Sequence, residues 1–138
     1  MSSDSYALAT VGQQLGENLR VAIPDLAIPI RDIDSGPVMN KLVVEITYQQ
    51  GDVSAFFDGQ RLAPGWVAVD FELGLTAPEQ DLTKANETLL QHLPALISAL
   101  DAVDNIQWDR AARGVDGGGA FYKLPITIFA TTKETDNG

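Results

Sequence analysis

Trp66–Thr76 reads WVAVDFELGLT. Val67, Val69, Phe71, Leu73 and Leu75 alternate with Trp66, Ala68, Asp70, Glu72 and Gly74. Successive side chains of a strand point to opposite sides, so this strict period of two marks a strand with one buried face. Pro78 follows, and then a long helical pattern. Apolar segments before and after this strand can be laid against it as a sheet whose inner face carries helices.

Downstream, Ala77-Pro78-Glu79 opens a helix. Proline suits the first helical position and Glu79 suits the positive end of the helix dipole. Leu82, Ala85, Leu89 and Leu93 form its apolar stripe. Pro94 predicts a kink or a restart, with Leu96, Ile97, Leu100 and Val103 on a second short helix. His92 is the single histidine and lies beside the apolar face. It reads as a partly exposed helical side chain rather than a ligand. Asp104-Asn105 turns the chain into a strand from Asn105 to Val115, with Ile106, Trp108 and Arg110 on one side. Asp116-Gly117-Gly118-Gly119 is a turn in which positive backbone angles cost little. It lacks the spacing of a dinucleotide or phosphate loop. Ala120 to Thr131 is the last strand, with Tyr122, Leu124, Ile126, Ile128 and Ala130 inward. Pro125 points to an edge position or a bulge. Residues 1–5 and 132–138 read as flexible tails.

Upstream, Leu8, Val11, Leu15, Leu19 and Ala22 recur at helical steps, predicting a helix from Tyr6 to Ala22 capped by Ser3 or Asp4. Gly12 and Gly16 share one face of it. They read as tolerated defects of roughly 1 kcal/mol each, with close approach of a neighbour as the other reading. Pro24 to Asn40 holds three prolines and Gly36, and is irregular or extended, with a brief edge strand at Ala27–Ile30. Asp32 to Gly36 resembles the front of a calcium loop, but no Glu follows at the twelfth position, so it reads as an Asx turn. Lys41 to Tyr48 is a strand with Leu42, Val44, Ile46 and Tyr48 on one side. Gln49 to Asp52 reads as a turn. Val53–Gly65, VSAFFDGQRLAPG, shows no clean period. This arm is either folded back on the core or presented to a partner, and periodicity does not separate the two. The order predicts a single α+β domain over residues 1–138: a mostly antiparallel sheet with helices packed on one face.

Composition narrows the function. The chain has 138 residues and no cysteine, which removes disulfides, thiolate catalysis and cysteine-based metal sites. Nineteen acidic residues against nine basic ones give a net charge of −10, the opposite of a phosphate-tracking surface. The N-terminus lacks a basic start followed by an apolar core, so no signal peptide is expected. No apolar run approaches the ~20 residues of a membrane helix. Asp70 and Glu72 share a strand face, but a solvated face explains them. No nucleophile elbow or triad pattern is present, so the chain is not expected to be an enzyme, and no cofactor or metal is implied.

The sequence of elements carries a resemblance. An N-terminal amphipathic helix leads to PDLAIPIRDIDSGP, then a strand and loop, then WVAVDFELGLTAP. The broken helix DLTKANETLLQHLPALISALDAV follows, then a strand, a glycine-rich turn and AFYKLPITIFATT. From Tyr6 to Thr131 this layout resembles the tail terminator proteins of long-tailed bacteriophages, small α+β proteins that form a hexameric ring on the end of the tail tube. Neck and tail-completion proteins share such layouts. The resemblance implies a virion protein assembled in the host cytoplasm. Its partners would be further copies of itself, the tail tube protein and a head-side connector, with DNA passing through the lumen and no membrane involved. Copies at −10 each would repel DNA rather than trap it. A head-to-tail ring uses two different surfaces of each subunit. The candidates are Phe56, Phe57 and Arg61 of the arm, and Asp116, Gly117 and Gly118 of the turn. Arg110 and Arg113 either reach acids on a neighbour or are plain surface arginines. Aspartate at both Phe56 and Phe57 is expected to leave the fold intact and block assembly. The alternative from another class is an acidic adaptor for one protein partner.

Overall fold

A computed structural model describes residues 6–23, 30–32, 44–103, 105–116 and 119–132. The proposed caps Ser3 and Asp4, most of the proline-rich stretch and its Asx turn, the strand start at Lys41–Val43, Gly117, Gly118 and the tail from 133 lie outside those residues.

The anchor strand forms as its alternation requires. It runs over Trp66–Thr76 (β6), with Val69, Phe71, Leu73 and Leu75 buried and Asp70 and Glu72 exposed. It pairs antiparallel on one side with Glu45–Ser54 (β3) and on the other with Gly119–Thr131 (β9). Leu73 stands between Tyr48 and Leu124 in register, so the apolar sets of three strands align on one face. Ile30–Asp32 (β2) adds to β3 in parallel; of the expected edge strand Ala27–Ile30, only Ile30 lies among the described residues. The far side of β9 is covered in succession by Ala112–Asp116 (β8), Ile106–Trp108 (β7) and Tyr6–Ala7 (β1).

Two helices, Val11–Ala22 (α1) and Leu82–Ala102 (α2), cover the inner face. Leu15, Leu19, Leu89, Leu96, Leu100, Leu124 and Ile128 are sealed in one core. Burying each such side chain is worth about 2 kcal/mol. The fold is α+β with a mostly antiparallel sheet.

Several expectations need correction, each for a tertiary reason. The first helix begins at Val11, not Tyr6. Tyr6 and Ala7 are extended and pair with Ala130 and Thr131, Leu8–Thr10 forms a single 3-10 turn, and the Tyr6 hydroxyl accepts from Asn18 Nδ2 at 2.8 Å. Gly16 is not a tolerated defect. A Cβ there would sit 2.6 Å from the Tyr48 hydroxyl, whereas one at Gly12 would meet only Phe71 at 3.9 Å. Gln49–Asp52 is not a turn, because β3 runs on to Ser54 against β6 and absorbs its extra residue as a bulge between Gln50 and Val53.

The second helix starts at Leu82. Asp81 caps it, accepting from the Thr83 and Lys84 amides at 2.9 and 3.1 Å, so Pro78 and Glu79 precede it. It then passes Pro94 without ending, as one helix rather than two. Pro94 and Leu90 are both exposed, so water can take the carbonyl that the proline leaves free, while Leu89, Leu93, Leu96 and Leu100 hold both halves to the sheet. The predicted strand Asn105–Val115 is two strands, broken at residues 109–111. The break lies opposite Leu124 and Pro125, and Pro125 has no N–H to donate there, so proline sits within the central strand β9 rather than at an edge.

One buried charge ties the β2 margin. Glu45 is 3% exposed and receives Arg31 through both carboxylate oxygens, at 3.0 and 3.4 Å. A carboxylate so buried needs such a bidentate partner.

Candidate assembly surface

The arm is a hairpin folded over the outer face of the sheet, the face away from the helices. Phe56–Phe57 (β4) pairs with Gln60–Arg61 (β5), and Asp58-Gly59 makes the turn with φ of 55° and 78°. Two successive residues with positive φ define the turn that suits a two-residue hairpin, and Asp-Gly is a preferred pair for it. The Leu62 amide donates to the Ala55 carbonyl at 2.8 Å and closes the base. Neighbouring residues on a strand face opposite ways. Phe57 therefore turns in and meets Phe129 edge-on, with ring centroids 5.0 Å apart. Phe56 turns out, 54% exposed, with the Arg61 guanidinium 5.9 Å from its ring centre. The arm is thus both readings at once: one phenylalanine is packed and one is presented.

The structure separates the sequence candidates into two groups. The hairpin packs beside Phe129, near the end of β9. Asp116, paired with Gly119, lies at the start of the same strand. Ten residue steps along β9 place these groups roughly 30 Å apart. Arg113 is exposed on β8 opposite Tyr122, and Arg110 is exposed in the break between β7 and β8. Neither has an ion-pair partner among the described residues.

Between the hairpin and β7, the outer face forms an open groove of about 830 Å³. Asp58, Asp70, Glu72 and Asp109 line it, with Phe57 as one wall. Asp70 accepts weakly from Thr127 Oγ1 at 3.5 Å, and Glu72 pairs with Lys123 at 3.4 Å, both of that pair half exposed. The acids are spread across β6, the hairpin and the β7–β8 break. Among the described residues no three His, Asp or Glu side chains are arranged to hold a metal ion. His92 points its Nδ1 at the Thr88 carbonyl, 2.9 Å away on its own helix. Among the described residues no helix is long and apolar enough to cross a membrane.

The Asp58-Gly59 pair was the available signal for the hairpin. The Phe57–Phe129 contact and the groove carried no local signal, because each is made by segments far apart in the chain.

No family model matches the chain, and no curated protein matches it. Among solved structures, it is similar to the sheath/tube terminator of PVC, an extracellular contractile injection system, in its extended state. The match has a TM-score of 0.52 at 12% sequence identity and covers 97% of this chain. The fold is terminator-like. This chain spans 60% of the length of that neighbour.

Proposed function

We propose that this chain is a tail-tube terminator, a structural subunit that closes as a ring on the end of a tail tube and stops its growth. The observation that carries this is the likeness of nearly the whole chain to a sheath/tube terminator. Two candidate contact regions at opposite ends of β9 support it, because a closed head-to-tail ring needs two different surfaces on each subunit. The exposed Phe56, Arg110 and Arg113 supply apolar and cationic contacts for neighbours. In its finer form the proposal is a hexamer in the virion of a long-tailed phage. It binds the tube on one side and the head-side connector on the other, and DNA passes its lumen without specific binding. Its role is mechanical rather than catalytic.

Molar mass by light scattering over a wide concentration range, with electron microscopy of the largest species, tests this directly. The expected result is a closed ring of about six subunits with a central hole, either alone or on the tips of tail tubes from the same source. A protein that stays monomeric and leaves tube ends bare would overturn it in favour of an acidic adaptor.

A further inference from the structure

We infer that two copies of this chain pack outer face to outer face about a two-fold axis, the hairpin of each seated in the groove of the other. The contact is separate from the ring contact proposed above and stands without it.

The hairpin is a ridge with a defined upper side. Phe56 and Arg61 are partners across β4 and β5, so their side chains share one side, while Phe57 on the other side is seated on Phe129. The upper side is bare. Phe56 is exposed, and the exposed Arg61 guanidinium stands over its ring with no ion-pair partner among the described residues. An aromatic ring beside an arginine is the kind of pair on which protein contacts are centred.

The groove beside the hairpin is floored by side chains that alternate with the core. Asp70 and Glu72 of β6, Thr127 of β9 and Gln107 of β7 share the outer face, and Asp109 lines the groove just past β7. Asp70, Glu72 and Asp109 are exposed, and the one ion pair among them is that of Glu72 with Lys123.

Charge decides what enters the groove. Ridge on ridge would set Arg61 against Arg61, and groove on groove would set carboxylates against carboxylates. Only ridge in groove sets Arg61 against Asp70 and Asp109, and it takes the Phe56 ring out of water.

Symmetry decides how the copies are related. The ridge and the groove open to the same side of the sheet. In a ring of six each neighbour is turned by roughly 60°, and two surfaces that look the same way never come face to face under so small a turn. A half turn brings them together. It also makes the contact twice, each hairpin in the other's groove, and so closes the pair instead of continuing a chain. A second copy therefore fills the groove as a two-fold mate and not as a ring neighbour.

The chain has no cysteine, so introduced thiols report this contact alone. Arg61→Cys protein mixed with Asp109→Cys protein should be joined by a short bismaleimide about tenfold faster than either variant is joined to itself. A chain carrying both changes should stop at a covalent dimer. Arg61→Glu and Asp109→Arg should each weaken pairing about tenfold at low salt, since each change is met twice, and the two in one chain should restore it. Both positions are exposed, and unchanged unfolding midpoints will show that the fold is intact. A covalent ladder from the double variant shows a head-to-tail contact and overturns the two-fold pair. Self-linking as fast as mixed linking overturns the match of hairpin to groove. Binding of an arginine-rich peptide by a protein that forms no 61–109 link gives the groove to another partner and likewise overturns the inference. Rings or capped tube ends without a 61–109 link overturn the dimer and leave the terminator reading standing. Dimers that link as expected, from a protein that leaves tube ends bare, do the reverse.

Discussion

The hairpin offers the sharpest test of how this surface is divided, because its two phenylalanines are adjacent and differently placed. Phe57→Ala removes the edge-on contact with Phe129, worth about 1 kcal/mol beyond area, and roughly another 1 kcal/mol from a half-buried ring. The expected loss is about 2 kcal/mol. Because β4 and β5 pair only with each other, it should appear first as local opening rather than as global unfolding. The Leu62 amide, bonded to Ala55 at 2.8 Å, is the reporter: its hydrogen exchange should quicken by about thirtyfold. Phe56→Asp should change stability by under about 0.5 kcal/mol, since Phe56 is exposed and the new carboxylate lies near Arg61. It should nevertheless weaken assembly, measured by light scattering. The double aspartate variant confuses the two effects, because a charge at position 57 would face Phe129. If Phe56→Asp opens the hairpin as much as Phe57→Ala does, both rings are core and the presented-aromatic reading is refuted. If Leu62 exchange is unmoved in Phe57→Ala, Phe129 is not what holds the hairpin down.

Two further expectations concern the α1–β3 contact. Gly12→Ala should raise the urea midpoint, gaining up to about 1 kcal/mol from helix propensity, because its Cβ meets Phe71 only at ordinary distance. Gly16→Ala should lower it by about 1–2 kcal/mol net: Tyr48, itself 5% exposed and leaning on Phe71, has little room to yield. Parallel shifts in the two variants would show that Gly16 is only a propensity defect. The Tyr48 hydroxyl is held above its ordinary value near 10, first by burial and then by the Asp32 carboxylate. A group raised in the folded state binds more protons there than when unfolded. Its contribution is therefore full below pH 10 and is lost as pH rises through its folded value. The unfolding temperature should fall above pH 10, and Tyr48→Phe should show a shallower fall; equal slopes would refute the assignment.

The legible parts of this fold are those where local pattern and tertiary demand agree. Uninterrupted alternation gave β6 its bounds, Trp66 to Thr76, and gave β9 its inner face. The expectations that failed are those where a distant partner overrode local preference. The expected first helix reached back to Tyr6, but Ala130, far along the chain, draws Tyr6 into the sheet. Gln-Gln-Gly-Asp has turn composition, yet the long strand opposite holds it extended and converts the surplus residue into a bulge. Pro94 would stop an isolated helix, and packing on both sides carries the helix past it.

The candidate surface was less legible, and the Phe56-Phe57 pair shows why. Once the chain is a strand, period two forces neighbouring side chains apart, so two adjacent phenylalanines cannot both enter one packed face. One of them must be left out, whichever way the hairpin lies. In the hairpin that the Asp-Gly turn closes, the dipeptide thus requires an exposed aromatic. Only the position of Phe129 decides that Phe56 is the one presented, and that choice belongs to the sheet rather than to the hairpin.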